Sequence, residues 1–203
     1  MKILKSLWFK CIVSLSLIIL ISGASIAILS DVLHVSSEER TSRALKKIYG
    51  DNLPSYSTFL DVEDKSRNDA IITNQYGEIS KIFIVDKTSD ADNDYDMVFM
   101  STGYHGYKDG QITMWIQVRF TSDNKTIAKT VITGNTKQTL MSLLDNSFTN
   151  FFTKDGNNNL KNYFTSDKNA SEGNKNVVTG ATKSANAGCN AVNCVIEYLK
   201  GAN

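Results

Sequence analysis

One proline in 203 residues, three cysteines and two histidines leave little material for the commoner built sites. His34 and His105 lie far apart in the chain, and neither has a cysteine pair beside it, so a zinc site or an iron–sulfur cluster within the chain is excluded. Cys189 and Cys194 fall in one helical stretch. Residues five apart on a helix are turned about 140° from each other and separated by about 7.5 Å of rise, so a disulfide there requires the helix to distort. Cys189 reads instead as a small apolar side chain that lets a helix sit close to its neighbour. Charge of one sign is also missing: 22 basic residues against 21 acidic ones leave +1, and no global field draws nucleic acid. Neither a catalytic triad nor a phosphate-binding glycine loop is visible, and there is no internal repeat. The run from Asp90 to Asp96 alternates oxygen ligands but lacks the glycine and closing Glu of a calcium loop, so it reads as a solvated turn. Scarce proline with abundant Asn, Lys, Ser and Thr reads as the base composition of an AT-rich genome rather than as a function.

What is there begins with a stretch free of charge. From Cys11 to Leu29, 19 residues carry no charge and eleven of them are Leu, Ile or Val. Those eleven favour bilayer insertion by about 5 kcal/mol, opposed by Ser14, Ser16, Ser22, Gly23 and Ser25. The length is close to what a spanning helix needs and exceeds the apolar core of most signal peptides, although Ala24 and Ala27 resemble cleavage-site residues. Lys2, Lys5 and Lys10 precede it and Asp31, Glu38 and Glu39 follow, so the positive-inside rule leaves the N-terminus in the cytoplasm. The expectation is a cytoplasmic tip and transmembrane anchor over residues 1–30, with an extracytoplasmic domain over residues 31–203.

Within that domain, Ser36 and Glu39 form a capping-box pattern that introduces a helix ending near Tyr49 at Gly50. Strand-like runs follow at residues 57–62, 70–74, 79–85, 97–102, 111–120 and 126–133, rich in β-branched and aromatic residues. In the fifth, Ile112, Met114, Ile116, Val118 and Phe120 share one face and Thr113, Trp115, Gln117 and Arg119 the other, so one side is expected to be buried. The turn residues at 122–125 make the last two runs a hairpin. Residues 137–152 return to helical spacing through Leu140, Leu143, Leu144, Phe148, Phe151 and Phe152, and residues 155–173 read as a polar loop anchored by Leu160, Tyr163 and Phe164. A final helix over residues 183–199 buries Ala185, Cys189, Val192, Ile196 and Leu199. The fold class is α+β: an antiparallel sheet packed against helices, preceded by one N-terminal transmembrane helix.

The start of that last helix carries Thr179-Gly180-Ala181-Thr182, a hydroxyl on small-residue backbone. Helix N-termini hold unpaired N–H groups and roughly half a positive charge, so a phosphate on Thr182 is stabilised there. Read alone, the same residues also serve as a simple cap, since Thr is a favoured cap residue.

The segment Val178-Thr179-Gly180-Ala181-Thr182-Lys183-Ser184 resembles the flavinylation motif of the FMN-binding domain family found in the Rnf and Nqr electron-transport complexes. In that family the last Thr of a Ser/Thr-Gly-Ala-Thr run takes FMN through a phosphoester bond, attached by a separate flavin transferase. The resemblance implies Thr182 as acceptor, flanked by Thr179, Gly180, Ala181 and Ser184. Thr102-Gly103-Tyr104-His105-Gly106 is similar to the family's Gly-Tyr-x-Gly segment. It implies that Gly103 and Gly106 bring backbone close to a flat ligand while Tyr104 stacks on it. His105 reads as a surface turn. Two positions depart from the pattern: Gly134 to Leu140 replaces a Glu-Thr segment followed by glycines, with Thr136 and Thr139 the nearest stand-ins, and Asn176 stands where the motif has Asp.

The family members also carry one N-terminal membrane helix with the flavin domain outside. The implied function is a membrane-anchored electron carrier, one component of an oxidoreductase complex rather than a stand-alone enzyme. Its partners are the other subunits of an ion-translocating, Rnf- or Nqr-like membrane complex, or a related extracytoplasmic electron-transfer chain, and the flavin transferase. The other readings are a flavin-free anchored interaction domain and a noncovalent FMN reductase.

Overall fold

The computed structural model describes residues 7–33, 37–64, 66–86, 94–122 and 124–201. The expected cap Ser36, His34, and most of the acidic run 90–96 lie outside them. The chain divides into a unit of residues Met1–Thr41 and a larger one of Ser42–Asn203.

The first unit holds helix α1, Leu7–Leu33. Its side chains described between residues 11 and 25, among them Leu15, Leu17, Ile19 and Leu20, are exposed. Among the described residues no helix is long and apolar enough to cross a membrane, so the expected transmembrane helix is not supported.

The second unit is α+β. Its strands are β1 (Tyr56–Asp61), β2 (Ile72–Asn74), β3 (Gly77–Asp86), β4 (Tyr95–Gly103), β5 (Gln111–Phe120) and β6 (Lys125–Thr136). They form a six-stranded antiparallel sheet in the order β1-β3-β4-β5-β6, with β2 also on β3. The hairpin expected from the sequence joins β5 to β6, Phe120 facing Lys125. Both faces of this sheet are covered, which the sequence reading did not anticipate. Ile112, Met114, Ile116, Val118 and Phe120 pack on one side with the C-terminal helix, and Trp115 is buried on the other with Phe83, Val85, Val98, Leu45 and Ile48.

Leu45 and Ile48 belong to α2 (Ser37–Tyr49), a helix of high amphipathicity. Gly50 closes it at φ +73°, its N–H donating to the Lys46 carbonyl, and Lys129 Nζ reaches across from β6 to donate to the carbonyls of Lys47 and Ile48. Tyr49 donates to Asp96, a fully buried carboxylate that also receives Gln117 Nε2 at 2.6 Å and Arg119 Nε at 3.4 Å. Burial, with Asp96 next, pushes the Tyr49 phenol far up. This satisfied network explains how Gln117 and Asp96 tolerate the covered face.

The single helix expected over residues 137–152 is broken. A 3-10 turn at Met141–Leu143 is followed by α3, Asn146–Phe151. Asp145 supplies the break: its carboxylate accepts from the N–H groups of Ser147 and Phe148, capping a new helix instead of continuing an old one. The loop beyond is held as expected, Leu160, Tyr163 and Phe164 packing on the main core, with a two-residue parallel ladder between β7 (Phe164–Thr165) and β8 (Asn174–Lys175).

Helix α4, Thr182–Gly201, is the central element, with thirteen residues buried. It lies against β4 and β5 so closely that a Cβ on Gly103 would come within 2.0 Å of the Ala187 carbonyl oxygen. Its buried polar side chains replace missing backbone pairings. Asn193 both accepts from Phe164 N–H (2.7 Å) and donates to Phe164 O (2.8 Å), and Asn190 donates to Tyr104 O at 2.9 Å. Cys189 and Cys194 are both buried free thiols; desolvation raises both, Cys194 to about 11, so neither is a nucleophile.

Candidate functional site

Each residue of Thr179-Gly180-Ala181-Thr182 has a separate physical task. The N–H of Ala181 donates to Val178 O at 3.1 Å, closing a turn whose third position, Gly180, has φ +85°. A side chain is strained at that φ, and glycine is not. Ala181 is buried, and its carbonyl accepts the first helical bond from Ala185 N at 2.8 Å. Thr182 then stands exposed in the first turn of α4. Its hydroxyl donates to Val178 O at 3.4 Å, a long and weak bond, rather than accepting an N–H as a cap would. The first-turn N–H groups of α4 have no intrahelical partners and carry the positive end of the helix dipole.

Thr182 opens into a cleft of about 440 Å³ lined by Tyr107, Thr139, Leu140, Gly180, Ala181, Lys183 and Ser184. That size is within the range of small-molecule clefts, about 300–1,000 Å³. Tyr107 and Leu140 on its lining are exposed apolar side chains, and the exposed Leu143 lies beside Gly180, its Cδ1 3.5 Å from where a Cβ on Gly180 would be.

Gln138 knits the wall together. Its Oε1 accepts from Tyr107 N–H (3.1 Å) and from the buried Ser184 hydroxyl (2.7 Å), while Nε2 donates to Tyr107 O (3.3 Å) and Thr136 O (2.9 Å). The four non-glycine residues of positive φ among those described, His105, Lys108, Asp109 and Lys137, all lie in the two loops that Gln138 joins.

Of the residues singled out in the sequence, Thr182, Gly180, Ala181, Ser184 and the stand-in Thr139 are gathered on this cleft, and Thr179 is exposed in the turn leading to it. The others stand behind it. Gly103 is pressed against the backbone of α4, and Gly106 faces Gly110, Gln138 and Ala187, so both glycines admit protein rather than a flat ligand. Tyr104 donates its phenol to Glu78 at 2.8 Å; desolvation and that carboxylate push it up to about 12. Thr136 accepts from Gln111 N–H at 3.0 Å, tying β6 to β5. His105 is exposed, its carbonyl accepting from Asn186 Nδ2.

Sequence reasoning missed Tyr107, Gln138 and Lys183, and it placed Leu140 and Leu143 on one helical spacing when both are exposed and Leu140 lines the cleft. Asn176 has an account of its own. It is buried, and its Nδ2 donates at 2.9 Å to the Phe148 carbonyl near the end of α3, a contact a carboxylate cannot make.

No protein-family model matches the sequence, and no curated protein matches it.

Proposed function

We propose that this chain is a membrane-anchored electron carrier that holds FMN as a phosphoester on Thr182, facing away from the cytoplasm. The observation that carries the reading is a threonine hydroxyl at the first turn of a long buried helix, unused as a cap and opening into a small-molecule cleft. The residues present fit the group. Thr182 Oγ1 is accessible for the ester, and the first-turn N–H groups, the helix dipole and neighbouring Lys183 favour a phosphate. Leu140 and Tyr107 offer apolar and aromatic surface for a ring system, and Thr139 and Ser184 offer polar groups beside it. Bound there, the flavin supplies redox chemistry that none of these side chains has.

Support for the anchor comes from the uncharged run of residues 11–29, basic before and acidic after. It comes also from the α1 side chains Leu17, Ile18, Ile19, Leu20 and Ile21, which are exposed at successive positions around the helix. A tether keeps such a carrier beside its partners at high effective concentration. Those partners are other subunits of an Rnf- or Nqr-like membrane complex, and the ester requires a flavin transferase, both on the strength of the sequence resemblance.

The test is denaturing gel electrophoresis under ultraviolet light of protein made in cells that contain a flavin transferase. A fluorescent band that vanishes in Thr182→Ala is expected. A dark wild-type band refutes covalent flavin; a yellow native protein that loses its colour on denaturation points instead to noncovalent FMN.

A further inference from the structure

We infer that Tyr107 is the aromatic wall against which the flavin ring system is held, and that Gln138 is the positioning residue that keeps it there. The inference rests on the covalent-FMN reading above. Tyr107 lines the cleft beside Thr182 and is 38% exposed, so its place is not explained by core packing. Tyr104, the tyrosine to which the family pattern points, is committed to Glu78 and does not line the cleft.

The backbone on both sides of Tyr107 is costly to hold. His105, Lys108 and Asp109 adopt φ of +64°, +51° and +56°, and Lys137, next to Gln138, adopts +57°. Each such non-glycine residue is disfavoured at that φ and persists only where its surroundings enforce it. The enforcing group is identifiable. Both hydrogen-bonding ends of the Gln138 amide are in use, and two of its four bonds go to the N–H and carbonyl of Tyr107 itself. The amide has one orientation only, because flipping it would turn its NH₂ toward the Tyr107 N–H and its oxygen toward two carbonyls. Through Ser184 the same amide is fixed to the first turn of α4, so Tyr107 is held in register with Thr182.

The experiment uses the full chain made with a flavin transferase, as wild type, Tyr107→Leu, Tyr107→Trp and Gln138→Met. The mass of the Thr182 peptide gives flavin occupancy, and the ratio of native to denatured flavin emission gives ring contact, since tyrosine or tryptophan against a flavin quenches it. Strong native quenching is expected in wild type and Tyr107→Trp, and a severalfold rise in native emission in Tyr107→Leu and Gln138→Met at equal occupancy. Gln138→Glu, which sets an oxygen against the Tyr107 and Thr136 carbonyls, is the second variant should Gln138→Met not fold, and its emission is expected to rise likewise. Equal quenching in wild type and Tyr107→Leu overturns the inference and leaves the flavin reading standing. A rise in Tyr107→Leu with none in the folded Gln138 variant overturns the role of Gln138. An unmodified Thr182 peptide in wild type overturns the flavin reading and this inference together.

Discussion

Asn176→Asp makes the chain more like the flavinylation motif it resembles, yet the structure says it destabilises the fold. The amide is buried and donates at 2.9 Å to the Phe148 carbonyl, one of the acceptors that a six-residue helix leaves unpaired near its C-terminus. A carboxylate of the same shape removes the donor and sets a charge against the carbonyl oxygen. Leaving such a buried group unsatisfied costs about 1–3 kcal/mol, and more when charge is involved, so a loss of about 3 kcal/mol is expected when the new side chain is ionised. The protonated acid regains an O–H donor, which raises its folded pKa above the unfolded value of about 3.9. A group with a raised folded pKa is most favourable to folding when protonated. The deficit therefore is smallest below about pH 4, grows by up to about 1.4 kcal/mol per pH unit to about pH 6, and is constant above. Urea unfolding at about pH 4.5 and pH 8, followed by the fluorescence of buried Trp115, measures it; in a thermal melt at the higher pH the midpoint should fall by about 6–12 °C. A deficit of the same size at both pH values, or none at pH 8, refutes the assignment of Asn176 as a donor to α3.

Other substitutions test the close packing and the site. Gly103→Ala sets a methyl 2.0 Å from one backbone atom of α4 and 2.3 Å from another, neither free to move, and is expected to cost about 3 kcal/mol or more in chemical unfolding. Gly188→Ala meets the Phe148 ring at 2.6 Å, which shifts more easily than backbone, so its cost is expected to be smaller, about 1–3 kcal/mol, and a reversed order refutes the distinction. Thr182→Ala removes only a long exposed hydrogen bond, so the flavin-free domain should melt within about 2 °C of wild type. In an alkaline titration of phenolate absorbance, Tyr104 and Tyr163 should ionise last among the measurable tyrosines, near about 12. For Tyr104 desolvation leads and Glu78 adds; for Tyr163 the hydrogen bond to Glu197 leads. Both folded values lie above the unfolded one of about 10, so their contribution to stability is intact below about pH 10 and lost from there to about pH 12. Loss of the late-ionising step in Glu78→Gln is the check for Tyr104.

The strands were legible because their signal is local. The alternation in Gln111–Phe120 fixed the strand and its face toward α4, and the small-residue spacing of 183–199 fixed α4. The second covered face was not legible, because Trp115 and Gln117 look solvent-compatible until Leu45 and Ile48 arrive from a helix some seventy residues earlier. The break at Asp145 was a local signal overlooked in favour of longer periodicity: an N-cap residue outweighs apolar spacing when the next turn supplies the N–H groups to be capped. At the site, the contiguous segment 179–184 could be read, whereas the wall opposite it could not. Gln138 meets Tyr107 across 31 positions and Ser184 across 46, and no pattern in sequence announces a bond of that span. Tyr104 stands out in the sequence through the resemblance of its segment to Gly-Tyr-x-Gly, but the glycines beside it serve an approach to α4.

The division of labour around Thr182 bears on what the segment is for. A helix that needs only a cap is best served by a side-chain oxygen at the residue before its first turn, and here that residue is Ala181, which has none. The hydroxyl comes one position later, exposed, on the end of the most deeply buried helix of the fold. Across the cleft two loops are held in unfavourable backbone conformations by one glutamine, although nothing in the core requires Tyr107 to stand there. Strain without a packing return, facing an exposed hydroxyl placed where capping gains nothing, is what the proposed flavin site would call for. The proposed carrier, which presents its redox group in one orientation, gives these features a use that a flavin-free interaction domain does not.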